Sequence, residues 1–338
     1  MTIQEAIAKL IGGQHLNRAD MTSVMNQVMS GQATDAQIGA FLIALRIKGE
    51  TVDEIAGAAI VMREKATPIV TKHKMVVDTC GTGGDHSGTF NISTTAAFVV
   101  AGAGLCVAKH GNRAATSKSG SADVLKALGV KIDVSPETVS RCLNEVGIGF
   151  LFAPALHGAM KYAIGPRREI GARTIFNALG PLTNPAGAKR QVIGVYHLGL
   201  TQTVADVLHT LGSEWAFVVH GLDGLDEITL TGSTRVSELK NGRVSTYDIR
   251  PEDFGLPLAK ISDLAGGEAE ENAQITLGVL KGNTGPKRDI VLLNAAAALV
   301  AGEKAKDIRD GINVAAEVID SGKAMAKLEV LKETSNRA

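Results

Sequence analysis

The N-terminal part of the chain, up to about residue 68, carries apolar residues at helical spacing and shows no strand pattern. Two apolar stripes stand out, at Ile38, Phe41, Leu42 and Leu45 and at Ile55, Ala58, Ala59 and Met62. The runs TDAQ and TVDE, which begin at Thr34 and Thr51, are capping boxes in front of these stripes. We therefore predict amphipathic helices, whose stripes are buried either inside a small helical domain or against a second subunit.

From Met75 onward, short apolar runs alternate with helical stretches. Strands are predicted near 75–78, 105–108, 130–134, 148–153, 191–196 and 215–220, and helices at 94–103, at 121–128 and from the Ser135-Pro136 cap to about Val146. This alternation is typical of parallel strands with helices on both faces. The predicted fold class is therefore α/β, with a mainly parallel sheet flanked by helices and a smaller all-helical domain.

Two later segments depart from this alternation. Residues 157–182 have a helical, basic pattern that by sequence alone looks like an insertion. The pattern of residues 227–249 predicts two or three antiparallel strands, with turns at Gly232 and at Asn241-Gly242. The C-terminal part predicts a buried Ala-rich helix, a helix that starts near Glu303 and a charged tail.

A glycine-rich run follows the first predicted strand. Residues 78–94, which we name the first loop, read DTCGTGGDHSGTFNIST and lead into an apolar helix. Glycines let the backbone approach an anion and free N–H groups at a helix start bind it, so this order predicts a phosphate or diphosphate site. The run is neither common phosphate motif, because a dinucleotide loop needs glycine at His86 and a P-loop needs Gly-Lys at Gly88-Thr89.

A second loop of similar character follows the strand predicted at 105–108. Residues 109–121, the second loop, read KHGNRAATSKSGS and hold three cations among several hydroxyls. Cations and hydroxyls around glycines suit a highly anionic ligand. One such loop alone would be interpreted as a solvated turn, but two that each follow a strand converge on one crevice of a parallel sheet.

A third loop is acidic. Asp223, Asp226 and Glu227 follow the strand predicted at 215–220, in a glycine-rich turn. Carboxylates at a strand end suit Mg²⁺, which takes one or two of them together with substrate oxygens. Taken alone, the same residues would be interpreted as turn and cap residues, because Asp-Gly pairs are common in turns.

Composition narrows the functional classes. The 338 residues carry 35 basic and 35 acidic side chains, so the formal net charge is zero, which favours a small anionic ligand over a long polyanion. The three cysteines form no CxxC pair, and Cys80 in the first loop is expected to be a buried packing residue rather than a nucleophile. Because neither a signal-peptide core nor a run of membrane-spanning length is found, we expect a cytoplasmic protein.

Four separated motifs resemble, in the same order, those of anthranilate phosphoribosyltransferases, enzymes of tryptophan biosynthesis. They are GTGGD…TFNIST from Gly81, KHGNR…SGSAD from Lys109, GPRRE…RTIFNALGPLTNP from Gly165 and HGLDGLDE from His220. The resemblance covers nearly the whole chain. It implies transfer of the 5-phosphoribosyl group from phosphoribosyl diphosphate to anthranilate, with release of diphosphate, and it implies Mg²⁺, with two ions per monomer.

The resemblance also implies a domain organisation. Residues 1–68 would form the small helical domain, joined by the helical segment 157–186. Residues 75–156 and 190–338 would form the large α/β domain that binds phosphoribosyl diphosphate. The outer face of the helical domain would join two subunits into a homodimer, and neither nucleic acid nor a membrane is expected as a partner.

The resemblance assigns individual residues to the two substrates and the metal. The phosphoribosyl diphosphate residues would be Gly81, Gly84, Asp85, Thr89, Asn91, Ile92, Ser93, Thr94, Lys109, Arg113, Ala114, Ala115, Thr116, Ser117 and Ser121. The anthranilate residues would be Gly81, His110, Asn112 and Arg167, and the metal residues would be Ser93, Asp226 and Glu227. Lys109 would neutralise the leaving diphosphate. No general base stands out, since the aromatic amine is already a nucleophile.

Purely structural roles for some of these residues, and other functions of the protein, stay open at this point. Seen alone, Ser93 and Thr94 fit a helix cap, and Lys109 and Arg167 fit surface cations. A pyrimidine nucleoside phosphorylase resembles this family in fold but would not need the acidic pair. A nucleic-acid-binding relative would need a basic groove. A nicotinamide-dependent oxidoreductase is disfavoured because a dinucleotide loop needs glycine where His86 stands, and because no acidic residue closes a strand about 20 residues further on. The resembling family also often has glycine at the position of His86.

Overall fold

The computed structural model describes residues 1–114 and 118–337. The strands within these ranges are β1 (Val76–Gly81), β2 (Cys106–Gly111), β3 (Ile148–Phe152), β4 (Arg190–Gly194), β5 (Trp215–Gly221), β6 (Thr234–Lys240) and β7 (Arg243–Ile249). They form one sheet in the order β3-β2-β1-β4-β5-β6-β7. Neighbours from β3 to β5 pair in parallel, whereas β6 and β7 add antiparallel at one edge. The predicted mainly parallel sheet is therefore confirmed.

Helices cover both faces of the sheet. They are α1 (Ile3–Ile11), α2 (Arg18–Met29), α3 (Asp35–Lys48), α4 (Val52–Lys65), α5 (Ile92–Gly102), α6 (Ser121–Ala127), α7 (Pro136–Arg141), α8 (Ala153–Leu156), α9 (Lys161–Ile170), α10 (Phe176–Leu179), α11 (Leu200–Thr210), α12 (Ala269–Leu280), α13 (Pro286–Ala301), α14 (Ile308–Asp320) and α15 (Lys323–Asn336). In the described parts of the chain, none of them is both long and apolar enough to cross a bilayer.

Two hydrophobic cores lie on opposite faces of the sheet. Along β5, Phe217 and Val219 join the core beneath α5, α13, α14 and α15, whereas Ala216 and Val218 join the core shared with α11 and α1 to α4. This alternation follows from the two-residue period of a strand. It makes β5 buried on both sides, as parallel strands in α/β proteins usually are.

The first four helices fold as their sequence patterns predict. Thr34 and Thr51 each accept a hydrogen bond from the backbone N–H three residues later, which confirms both capping boxes. The apolar stripes of α3 and α4 are buried. Helix α9 packs against α2 and α3, and Phe176 and Leu179 of α10 join the same core. The segment around α9 and α10 therefore lies against the N-terminal helices.

The prediction of a strand at 130–134 is wrong. These residues form no strand, and β3 pairs directly with β2 instead. Val130 and Ile132 are buried, which explains the apolar alternation. The N–H of Lys131 donates to Ser335 Oγ over 3.1 Å rather than to a neighbouring strand.

Other local predictions held to within a few residues. Ser135 Oγ accepts from the N–H of Thr138 at the start of α7, as its cap pattern predicts. The Asn241-Gly242 turn joins β6 to β7 with φ of 51° and 71°, the two positive values that a two-residue hairpin turn needs. The helix expected near Glu303 begins later, after Asp307 caps α14.

Candidate active site

The carboxyl ends of β1, β4 and β5 meet at the acidic turn that follows β5. Two glycines make room for this turn. A Cβ on Gly194 would lie 1.5 Å from the Asp226 carbonyl O, and a Cβ on Gly81 would lie 2.8 Å from Asp226 Oδ2. Neither strand end accepts a side chain without moving the turn, so Asp226 is seated directly beside the first loop.

The first loop is bonded to Asp226 from both sides. The Gly83 N–H donates to Asp226 Oδ2 over 2.8 Å, and the Asp226 N–H donates to Asp85 Oδ2 over 3.4 Å. The backbone has positive φ at Gly83 and Gly84, and also at His86, where φ is 58°. Glycine adopts this left-handed conformation without strain, whereas histidine does so at a cost.

The start of α5 is capped by an acid from the turn that follows β5. Asn91 is the N-cap residue, but its side chain donates to the Ser119 carbonyl over 3.2 Å and accepts from Asn272 over 3.1 Å. The Ser93 N–H instead donates to Glu227 Oε1 over 3.1 Å. A carboxylate thus takes the kind of position where helix N-termini bind phosphate oxygens.

Lys109 is the buried cation of the site. Only 3% of the residue is exposed. Its Nζ donates to the Thr79 carbonyl O and, over 3.4 Å, to Ser93 Oγ. Burial lowers the pKa of Lys109, and the nearby carboxylates of Asp78 and Glu227 oppose that shift. The predicted leaving-group cation therefore lies next to two of the predicted metal residues.

The two acids of the pair have raised pKa values, mainly because they are buried. Burial raises the pKa of Asp226 well above its ordinary value, and repulsion by Asp85 and Glu227 adds to the effect. Burial likewise raises the pKa of Glu227 to about 7, although Lys109 pulls it down. Carboxylates that repel one another in this way fit a divalent cation.

The protein alone does not complete a metal site. Among residues 1–114 and 118–337, no three His, Cys, Asp or Glu side chains are grouped so that they could hold an ion. Mg²⁺ commonly takes one or two carboxylates and completes its shell with water and phosphate oxygens. The donor set of Asp226 and Glu227 therefore fits an ion that arrives with a phosphorylated substrate.

Asp223 belongs to the turn itself. Its Oδ2 accepts from Thr229 Oγ1 over 2.6 Å, and its Oδ1 accepts from the Leu225 N–H over 3.1 Å. A Cβ on Gly221 would lie 2.3 Å from Asp223 Oδ1. These contacts make Asp223 a residue that shapes the turn, so Asp226 and Glu227 are the metal candidates of this turn.

The second loop is closed by an acid at the start of α6. Asp123 Oδ2 accepts from the N–H groups of Ala114 and Gly120 at 3.0 and 2.9 Å. Ser121 Oγ donates to the Asn112 carbonyl over 3.2 Å. Together these bonds hold the ends of the loop close to each other, beside the end of β2.

The remaining residues predicted to bind phosphoribosyl diphosphate fall into three groups. Arg113 is exposed, and Thr89 is half-buried in the first loop. Ile92 and Thr94 are buried in the first turn of α5, so their side chains face the core. Ala115, Thr116 and Ser117 lie outside the described residues.

Two buried histidines link the second loop to the helical segment. His110 Nδ1 lies 3.0 Å from the Gly180 carbonyl O, and its Nε2 lies 3.1 Å from His157 Nε2. Because the carbonyl only accepts, His110 carries its proton on Nδ1 and His157 donates from Nε2. Burial lowers the pKa of His110 to about 3 and that of His157 to about 4. Both rings are therefore neutral at pH 7.

Arg167 is half-buried on α9. Its guanidinium carbon lies 5.0 Å from the centre of the Phe176 ring, and burial lowers its pKa. The next residue, Arg168, is exposed. Phe176 begins α10, and the residue after α10, Gly180, lies beside His110 of β2. Through its contact with Phe176, Arg167 therefore belongs to the segment that faces the strand ends.

Sequence reasoning gave no role to Asp78 and Asn184. Asp78 is fully buried; its Oδ1 accepts from the His110 N–H over 3.1 Å and its Oδ2 from Asn184 Nδ2 over 2.8 Å. Asn184 Nδ2 also donates to the Ala108 carbonyl over 2.8 Å. The sequence does contain a signal for Asp78, because burying an acid inside an apolar strand is costly unless the acid is hydrogen-bonded.

Cys80 is buried at the end of β1, as predicted. Burial raises the pKa of its thiol well above the ordinary value, and the Asp78 carboxylate adds to that shift. A protonated, enclosed thiol is a poor nucleophile.

The sheet, its strand-end loops and the helical layer define a glycosyl transferase. Residues 73–325 match the a/b domain of a glycosyl transferase family, and residues 4–66 match the helical bundle domain of a glycosyl transferase family. Similar curated proteins include the anthranilate phosphoribosyltransferase of Syntrophotalea carbinolica, 58% identical, with 97% of this chain and 98% of the relative covered. That of Desulfosudis oleivorans is 60% identical, with 97% of each chain covered.

Solved structures agree. Anthranilate phosphoribosyltransferase from Thermus thermophilus superposes with a TM-score of 0.94 at 42% identity, covering 98% of this chain and 99% of that one. The Saccharomyces cerevisiae enzyme in complex with PRPP and Mg superposes with a TM-score of 0.89 at 30% identity, covering 98% and 97%. The chain belongs to the anthranilate phosphoribosyltransferase family.

Proposed function

We propose that the ends of β1, β2 and β5 form the centre where this enzyme transfers the 5-phosphoribosyl group from phosphoribosyl diphosphate to anthranilate. The products are N-(5-phosphoribosyl)anthranilate and diphosphate, a step of tryptophan biosynthesis. The observation that carries the assignment is the grouping of Lys109, Ser93 and the acidic pair around the start of α5. It supplies a cation, helix N–H groups and carboxylates at one place.

In this reaction the bond between the ribose anomeric carbon and a diphosphate oxygen breaks, and a bond to the anthranilate nitrogen forms. Charge develops on the departing diphosphate. Lys109, fixed by Thr79 and Ser93, would meet that charge without rearrangement. The first loop and the α5 N-terminus would hold the phosphate oxygens through backbone N–H groups.

Asp226, Glu227 and Ser93 Oγ would hold Mg²⁺, with two ions per monomer. Their fit rests on their place beside the first loop, where Glu227 accepts from the Ser93 N–H and Asp226 accepts from the Gly83 N–H. Burial raises the pKa of both acids, and a bound cation would oppose that shift. Bound Mg²⁺ supplies charge neutralisation for diphosphate. The yeast relative solved with PRPP and Mg supports this assignment.

Anthranilate presents an aromatic ring, an amine and a carboxylate. Arg167 would bind the carboxylate, and Gly81, His110 and Asn112 would line the rest of the pocket. His110 is neutral and already bonded to Gly180 and His157, so it is suited to position the substrate. The amine loses its proton after the new bond has formed, which needs no buried base.

The test is a mixture of purified protein, phosphoribosyl diphosphate, anthranilate and Mg²⁺, followed by the loss of anthranilate fluorescence. Loss that requires all three additions establishes the reaction. If folded protein shows no loss, a phosphate-plus-thymidine assay tests the nucleoside phosphorylase instead. Lys109→Met is the control variant. It should abolish turnover, so anthranilate fluorescence should stay constant in the complete mixture.

The enzyme would act as a homodimer through its helical layer. Ile11, Ile47 and Ile164 are 75%, 82% and 57% exposed. They lie on α1, α3 and α9, and α3 packs against both of the other helices. Exposed large apolar side chains on neighbouring helices favour a subunit contact.

A further inference from the structure

Arg173, between α9 and α10, reaches across to the first loop. Its Nη2 donates to the Gly84 carbonyl O. The same Nη2 lies 3.3 Å from His86 Nε2, and the guanidinium carbon lies 4.2 Å from the centre of the Tyr196 ring. The first two contacts join the helical segment to the first loop, and the third joins it to the stretch that follows β4.

The contact with Gly84 fixes one peptide group of the loop. In a planar trans peptide the C=O and the following N–H point in opposite directions. Holding the Gly84 carbonyl toward Arg173 therefore turns the Asp85 N–H away from Arg173. Within residues 1–114 and 118–337 that N–H makes no backbone hydrogen bond, so it is available to a ligand.

Residue 84, whose carbonyl accepts from Arg173, is in a conformation that favours glycine. Gly84 has a φ of 77°, and a Cβ there would lie 3.2 Å from Arg173 Nη2. The glycine thus serves both the left-handed turn and the close approach of the guanidinium. The conformation of the loop and the contact with Arg173 depend on each other.

Tyr196 orients the guanidinium and is itself tied to the loop. The Tyr196 N–H donates to Thr82 Oγ1 over 3.0 Å. The ring therefore offers Arg173 a face whose position is set by the same loop. The described partners of Arg173 are a carbonyl, an imidazole and a phenol ring, which leave its positive charge unneutralised.

We propose that Arg173 is a positioning residue for phosphoribosyl diphosphate. It holds the Gly84–Asp85 peptide with its N–H toward the phosphate oxygens and adds positive charge behind them. This role deepens the proposed function and rests on it. Because Arg173 belongs to the segment that carries Arg167, the same contact brings the donor-binding loop and the acceptor-binding helix together.

The test compares Arg173→Gln with the wild type by steady-state kinetics and by calorimetric titration with phosphoribosyl diphosphate and Mg²⁺. A charge-assisted hydrogen bond of this kind corresponds to about tenfold or more in affinity. We expect KM and Kd for phosphoribosyl diphosphate to rise by about that factor, with a smaller change in KM for anthranilate. Arg173→Lys, which keeps the charge without the fork, should recover part of the loss.

Arg168→Gln, an exposed neighbour on α9, is the control and should match the wild type. Tyr196→Leu removes the supporting ring while Arg173 remains, and should raise KM for phosphoribosyl diphosphate by an intermediate factor. Equal increases in both KM values, or an unchanged Kd for phosphoribosyl diphosphate, would overturn the positioning role. Absence of turnover in folded wild type would instead overturn the proposed function, so the two failures are distinct.

Discussion

Glu227 and Asp226 differ from their neighbour Asp223 in what surrounds them. Asp223 is exposed and bonded within its own turn. The other two face Lys109, Ser93 and the first loop, and burial raises the pKa of both. Acids of one turn therefore have different surroundings, which the sequence spacing alone does not distinguish.

The double variant Asp226→Asn, Glu227→Gln should need far more Mg²⁺ for half-maximal activity, on the order of tenfold or more, because amides bind Mg²⁺ more weakly than carboxylates. The measurement is turnover as a function of Mg²⁺ concentration at saturating substrates. Asp223→Asn is the control and should leave the Mg²⁺ midpoint unchanged. An unchanged midpoint in the double variant would make the acidic pair structural.

Arg167→Ala should raise KM for anthranilate far more than KM for phosphoribosyl diphosphate. Removing a half-buried guanidinium from a carboxylate ligand costs roughly 1.5–3 kcal/mol, or about tenfold to a hundredfold in affinity. Initial rates over a grid of both substrate concentrations measure the split. Arg168→Ala should behave as wild type, and equal losses for both substrates would remove Arg167 from the anthranilate pocket.

The grouping of candidate residues at the strand ends was predictable, because parallel strands bring their carboxyl ends to one edge. Gly81, Lys109 and Asp226 are examples. Arg173 and Asn184 were not predicted as partners, since their contacts join distant parts of the chain and leave no local pattern. Only packing of the helical segment against the sheet determines them.

Helices α3 and α4 are joined by a buried ion pair as well as by their apolar stripes. Lys48 Nζ lies 2.8 Å from Glu54 Oε2, with side-chain exposures of 4% and 0%. Glu54 Oε1 accepts from the Leu16 N–H over 2.9 Å. Glu54 therefore ties α3, α4 and the connection before α2 to one carboxylate.

Lys48→Met should lower the free energy of unfolding by about 3 kcal/mol, because it leaves Glu54 buried without its cation. Urea unfolding followed by circular dichroism measures this loss. Lys9→Met is the matched control, since Lys9 pairs with Asp20 at 3.5 Å while 42% exposed, and should cost less than about 1 kcal/mol. Equal losses in both variants would contradict the role given to the buried pair.

Helices and strands were predicted correctly where the sequence pattern fits only one kind of structure. The prediction failed where the same apolar pattern fits both a strand and an irregular connection. The capping boxes of α3 and α4 are local signals and were read correctly. The alternation at 130–134 fits a strand, yet there it buries Val130 and Ile132 from an irregular connection. A strand at 130–134 would need a neighbouring strand to pair with. The order of the whole sheet, and not the sequence of this segment, determines whether such a neighbour exists.

The helical segment and the sheet meet at the His110–His157 pair. Both imidazoles are neutral because burial lowers their pKa. Protonation of His110 would place a proton on Nε2 and remove the acceptor for His157, and protonation of His157 would leave a charged ring buried beside His110. The contact between the parts of the molecule therefore depends on pH.

The sign of that dependence follows from His157, whose pKa of about 4 lies below the ordinary value of 6.5. The unfolded chain binds more protons between these values, so stability is complete above about pH 6.5 and is lost as the pH falls toward 4. His157→Gln keeps a donor for His110. Thermal unfolding at pH 7 and pH 5 should show a smaller acid loss in this variant, by on the order of 1–2 kcal/mol.

A control for this measurement is His197→Gln, at an exposed histidine, which should follow the wild type at both pH values. If His157→Gln loses as much stability as the wild type between pH 7 and pH 5, the buried pair does not set the acid sensitivity.

Ile47→Glu should convert the proposed dimer to monomers, because a charge on an apolar subunit contact is desolvated without a partner. Analytical ultracentrifugation over a concentration series measures the dissociation constant, which should rise by at least tenfold. Ile261→Glu, at a 46% exposed residue in the α/β part, is the control. A monomeric wild type would refute the dimer proposal directly.

The fold class followed from the order of sequence patterns, but the return of residues 157–186 to the first helices did not. Their basic, helical pattern fits an insertion as well as a wall of the crevice. Phe176 and Leu179 complete a core that α1 to α4 leave open. Such complementarity between distant surfaces has no signature in either stretch alone.

The carboxylate of Glu227 at the start of α5 has a consequence for ligand entry. The Ser93 N–H already has an anion, supplied by the protein itself. Under the proposed function, a phosphate that takes this N–H would exchange with Glu227 instead of filling an empty position, and the released carboxylate would then face a cation. The protein thus carries, at the start of α5, its own substitute for the substrate's charge.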